Sequence, residues 1–128
     1  MCFDRPLQVG AIGGHGPIRY IVERYDPGCA VWFRLTEPAG FEGGHGFDLE
    51  STASGGTRLR HVLTMDLRGT ARMSWPLVFR PLHDALVEDV LDSAAVAVGE
   101  PPYKRAWSLW VRVLRATLRR RGRSRRAA

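Results

Sequence analysis

The chain has no apolar run of the roughly eighteen residues needed to cross a bilayer, because charged or turn residues interrupt every hydrophobic stretch sooner. A membrane-spanning helix is excluded. Only two cysteines occur, Cys2 and Cys29; they neither build a disulfide framework nor have zinc-type spacing, which fits a reducing, cytoplasmic setting. The start, Met1-Cys2-Phe3-Asp4-Arg5-Pro6, lacks the positive, apolar and small-residue stretches of a signal peptide and reads as mature chain or as a chain beginning mid-domain. No phosphate-cradling Gly-Lys-Ser/Thr is found. Gly10, Gly13, Gly14 and Gly16 look superficially like a dinucleotide loop, but Pro17 and strand-like residues follow where a helix is required. No cofactor is implied. Acidic residues are missing from Lys104 to the end, a stretch with ten basic side chains, whereas the rest carries nine basic and thirteen acidic ones. The net charge of +6 therefore belongs to a basic tail on a mildly acidic body.

What is present is a change of hydrophobic period. Leu7 to Ile12 form a short apolar run suited to a strand. In Ile18 to Tyr25, Ile18, Tyr20 and Val22 lie on one face and Arg19, Ile21 and Glu23 on the other. Asp26-Pro27-Gly28 is a turn, and Cys29 to Thr36 completes a hairpin. A Gly-rich link over 37–46 precedes Phe47-Asp48-Leu49-Glu50, and after Ser54-Gly55-Gly56 a strand runs from Thr57 to Asp66 with Leu59, His61, Leu63 and Met65 on one face. About five sequential strands predict an antiparallel meander. From Trp75 to Val98 the spacing is helical, with Phe79, Leu82, Leu86, Val90, Ala94 and Ala97 in one stripe and Asp84, Glu88 and Asp92 opposite. Pro81 kinks this helix or sits in its first turn, and Gly99-Glu100-Pro101-Pro102 ends it. A second helix, Tyr103 to about Arg120, puts Trp107, Trp110, Val111, Leu114 and Leu118 on one side and Lys104, Arg105, Arg112, Arg115 and Arg119 on the rest; the last Arg-rich residues read as disordered.

The order of these elements, with Val9-Gly10, His15-Gly16-Pro17, Asp26-Pro27-Gly28, Gly56-Thr57-Arg58-Leu59 and the helix from Leu82 to Ala95, resembles the SRPBCC superfamily of START-like lipid-binding and polyketide cyclase-like proteins. The resemblance covers about residues 7–98. It implies an α+β helix-grip fold, a sheet gripping one long amphipathic helix, with residues 1–100 as the START-like domain and 101–128 as a basic helix and tail. The usual N-terminal strand and two short helices of that group have no counterpart here, which should expose strand backbone and favour a homodimer through the sheet edge.

The resemblance further implies a hydrophobic or aromatic small molecule, lipid- or polyketide-like, held between sheet and helix. Its expected contacts are Tyr20, Val22, Phe33, Leu35, Phe47, Leu49, Leu63 and Met65 from the sheet and Phe79, Leu82, Leu86 and Val90 from the helix. For each of these, plain core packing is the competing role. His61 and His83 both point inward by periodicity, and an enzyme of the cyclase or dehydratase type would use them for proton transfer with a base such as Asp89; structural histidines are the simpler alternative. His15 and His45, among glycines, read as loop residues, and no histidine pair has metal-ligand spacing on one helix. Arg19, Glu23, Arg58 and Arg60 read as solvent-face ion-pair formers. Trp107, Trp110, Arg112, Arg115 and Arg119 form a surface that packs on the domain, or lies on an anionic membrane; nucleic acid ranks last, since no groove-reading motif is present.

Overall fold

The structure, a computed structural model, describes residues 2–103 and 105–124, with side chains through Leu118. It is α+β: a six-stranded open antiparallel sheet, then helices. The chain divides into two compact units, Met1–Arg72 and Met73–Ala128, each described by itself below.

The first unit is the sheet, its strands in sequence order: β1 (Cys2–Phe3), β2 (Ile12–His15), β3 (Ile18–Asp26), β4 (Ala30–Glu37), β5 (Phe41–Ser51) and β6 (Thr57–Leu67). The turn at Asp26 closes with the Cys29 amide on the Asp26 carbonyl at 3.0 Å, and in the turn between β5 and β6 the Thr52 hydroxyl accepts the Gly56 amide at 3.0 Å. Such short turns between β-rich segments leave no pairing except the meander. The β5–β6 ladder runs unbroken from Phe41↔Leu67 to Ser51↔Thr57. Between β3 and β4 the register slips twice, once past Thr36 and once past Glu23, and the two slips compensate.

Three expectations shift here. Leu7 to Ala11 are not part of a strand, β2 starting at Ile12 although Gly10 and Ala11 already share backbone hydrogen bonds with Val22, and the short β1 adds a sixth strand. The link expected over 37–46 is half strand, because β5 starts at Phe41. Its glycines are required by the neighbouring strand: the Trp32 side chain of β4 lies across them, so that a Cβ on Gly44 would come within 2.9 Å of Trp32 Nε1 and one on Gly46 within 2.8 Å of Trp32 Cε3. A residue type that weakens strands in general is here the only one that fits under an indole.

The alternation sorts side chains as read from the sequence. One face gathers Ala11, Tyr20, Val22 and Phe33 as a buried core, with Phe3, Ile18, Val31, Leu35 and Phe47 packed on it. The other face is charged: Arg34 meets Glu23 at 3.0 Å, and Arg60 reaches Asp48 at 3.2 Å and Glu50 at 3.0 Å. Arg19 instead donates to the Gly16 and Ile18 carbonyls.

The second unit holds the helices. A short α1 (Ala71–Ser74), which spans the unit boundary, and a wide π turn (Trp75–Phe79) lead into α2 (Arg80–Ala97). Pro81 is the second residue of α2, and the helix expected from Trp75 is present and continuous with α1, widened to a π turn just ahead of the proline that can supply no amide. Gly99, at φ +86°, ends α2: its amide bonds the Val96 carbonyl at 3.1 Å and that of Glu100 the Ala95 carbonyl at 2.9 Å, a Schellman cap. The last helix, α3 (Leu109–Ser124), begins six residues later than expected; Pro101 and Pro102 break the helical pattern ahead of it, and the Tyr103 amide and the Trp107 indole bond to carboxylates, as described below. The tail over 125–128 and the side chain of Arg119 lie outside the described residues. No helix among the described residues is long and apolar enough to cross a membrane.

Candidate functional site

The core face of the sheet continues into a row of rings. Tyr20 on β3 lies 5.2 Å from Phe33 on β4, centroid to centroid, and Phe33 lies 5.4 Å from His45 on β5. His45 is 5.5 Å from His61 on β6, and His61 is edge-on to Phe47 at 5.0 Å. Period two aims these side chains the same way: Phe33 is the partner of His45, and Phe47 of His61, across the ladders. Leu35, Leu49, Leu63 and Met65 share this face by register. All eight contacts expected from the sheet are thus on one surface. Tyr20, Val22 and Phe33 are its fully packed end, whereas Leu49 is 43% exposed.

Two polar features mark the row. The Tyr20 hydroxyl is buried without a hydrogen-bond partner among the described residues. Desolvation, and secondarily the nearby Cys2 thiol, push its pKa up to about 12, so the phenol stays protonated at neutral pH. The second is a contact that the sequence reading missed: His45 Nδ1 lies 3.3 Å from His61 Nε2. His45 is not a loop residue but a buried member of β5, 6% exposed. The signal that reveals it is the period-two series Phe41, Gly43, His45, Phe47, Leu49, hidden by its glycines.

The helical candidates lie in the second unit. Phe79 ends the π turn, and Leu82, Leu86 and Val90 are half-buried along α2, whose one fully buried residue is Ala85. His83 is bonded to Asp84, Nδ1 to Oδ1 at 3.2 Å, with Trp75 at 5.7 Å between ring centroids. Asp89 is not placed as a base for an imidazole: its oxygens accept Trp107 Nε1 at 3.3 Å and Arg115 at 2.9 Å. Asp92 is likewise no mere solvated carboxylate, since it accepts the Tyr103 amide at 2.8 Å.

The same contacts organise the surface set. The Arg115 guanidinium stacks 3.6 Å above the Trp107 ring while pairing with Asp89, combining a cation–π contact with an ion pair. Trp110 donates its indole N–H to the Leu77 carbonyl at 2.7 Å. In a regular α-helix that carbonyl would receive the amide of residue 81, and residue 81 is proline; the indole takes over the acceptor that proline leaves. Trp107, Arg112 and Arg115, with Ala106 and Ala116, line an open hollow of about 440 Å³. Arg112, exposed, has no carboxylate partner among the described residues.

No protein family, characterised protein or solved structure matches the chain.

Proposed function

We propose that the protein binds a hydrophobic or aromatic small molecule, lipid- or polyketide-like, against the ring-lined face of its sheet. The observation that carries this reading is the Tyr20 hydroxyl, a buried donor with no acceptor among the described residues, at the end of the row formed by Phe33, His45, His61 and Phe47. A buried donor without an acceptor costs free energy, and a ligand oxygen that enters as the packed end of the face opens removes that cost. Rings meeting edge-on or tilted suit a flat apolar body. The ligand class that follows is a mostly apolar molecule with one carbonyl or hydroxyl.

The test is native mass spectrometry of the purified full chain, coupled with binding of the fluorescent probe anilinonaphthalene sulfonate. A retained small mass and blue-shifted probe emission, lost in the variant Leu49→Arg at the exposed end of the face, are the expected results. A bare chain whose probe emission stays at the buffer level overturns the reading.

The second unit favours a second activity, association with an anionic membrane surface. The hollow beside Trp107 and Arg112 has the size and sign for a phosphate headgroup, and Leu109, Trp110 and Val113 of α3 are each half exposed or more. Sedimentation with phosphatidylcholine vesicles that contain phosphatidylglycerol should be reversed by salt and lost in Leu109→Asp/Val113→Asp; equal binding to neutral vesicles would exclude it.

A further inference from the structure

The His45–His61 contact goes beyond the binding of an apolar molecule. Two imidazoles on adjacent strands, one of them 6% exposed, hold ring nitrogens 3.3 Å apart. As a hydrogen bond, that contact uses one N–H and one lone pair. The same spacing has a second meaning. Zinc–nitrogen bonds of about 2.0–2.1 Å put two nitrogens of a tetrahedral site about 3.3–3.4 Å apart. An octahedral ion at the same bond length would require about 2.9 Å. Replacing the shared proton by a metal ion thus needs no strand movement, only a modest rotation of each ring about its side-chain bonds.

The surroundings favour the exchange. Phe33 and Tyr20 flank His45 at 5.4 and 5.8 Å, and Phe47 flanks His61 at 5.0 Å. These apolar neighbours limit how far each ring can swing and confine solvent to the open positions of the metal. An imidazole donor set selects zinc, copper or nickel over magnesium and calcium, which require oxygen. The geometry points to His45 Nδ1 and His61 Nε2 as protein ligands of a divalent transition-metal site of the zinc class, on the sheet face. Both strands arrive at the site through one unbroken ladder, in which His45 pairs with Leu63 and His61 with Phe47, so the ligand spacing is set by backbone register. Positions of the tetrahedron beyond these two ligands are filled by water or another oxygen or nitrogen donor.

The test uses the full chain, stripped with chelator and titrated with zinc sulfate by calorimetry, with imidazole nitrogens followed by NMR. One equivalent should bind at micromolar or tighter affinity and shift Nδ1 of His45 and Nε2 of His61. His45→Gln and His61→Gln should each weaken binding by about tenfold or more, while His15→Gln, at the end of β2, should not. The NMR arm on the unsubstituted chain needs no variant to fold. Zinc shifts confined to other residues, or unchanged affinity in both variants, would overturn the assignment.

Discussion

At the scale of single residues, the most informative side chains are those whose polar atoms have unusual partners. Tyr20→Phe removes a buried hydroxyl without a hydrogen-bond partner among the described residues, so it should leave the stability of the ligand-free protein unchanged or raise it by about 1 kcal/mol, read by urea unfolding. A loss of about 2 kcal/mol or more would mean that the hydroxyl is satisfied. The pH dependence has a definite sign. In the unfolded chain the phenol ionises near the ordinary tyrosine value of about 10, whereas in the fold it resists ionisation to about 12. The unfolded state therefore loses its proton first, and stability should fall between those limits as pH rises, a loss that Tyr20→Phe abolishes. Trp110 makes a second case. Trp110→Phe should cost about 1–2 kcal/mol by leaving the Leu77 carbonyl without its indole donor. Combined with Pro81→Ala, which restores a backbone amide, the loss should be smaller than in the Pro81 background alone; additive costs in the double-mutant cycle would sink this account. The Trp110–Leu77 bond is not legible in the sequence, because it joins residues far apart in the chain.

At the scale of elements, alternation carried most of what could be read. The faces of β3, β4 and β6, the hairpin turn at Asp26-Pro27-Gly28 and the end of α2 at Gly99 follow from period and turn chemistry. β5 did not, because its glycines look like a loop until Trp32 is seen lying across Gly44 and Gly46. Gly46→Ala should consequently destabilise the sheet by about 2 kcal/mol or more, since the new Cβ meets both Trp32 and the Val31 carbonyl; a thermal melt within a degree of the parent would refute it. The late start of α3 at Leu109 has a related cause. Helical spacing in residues 103–108 is genuine, but Asp92 bonds the Tyr103 amide and Asp89 holds the Trp107 indole, and these contacts outweigh a local propensity worth a few tenths of a kcal/mol per residue. The long-range bonds also give Asp89 and Asp92, which resemble solvated helix charges, their structural work.

At the scale of the whole molecule, the α+β class and the sheet-then-helix order were legible in the shift from period two to period 3.6, because each period buries one face and a chain must use both. Charge partition is equally plain. Residues 1–72 carry eight basic and eight acidic side chains, so the entire excess of +6 lies in residues 73–128. The pairing of His45 with His61 was not legible, since it depends on which residue of β5 faces which of β6. That register also governs how the chain tolerates changes of length. The β3–β4 pair has already absorbed an extra residue in each strand, whereas β5 and β6 match residue for residue over their full eleven positions. Losing a single residue from the middle of either would turn half of that strand over, carrying an imidazole to the side of Asp48 and Arg60 and a charge to the side of Phe33. Insertions and deletions should therefore be accepted in the loop over 52–56 and rejected within 41–51 and 57–67.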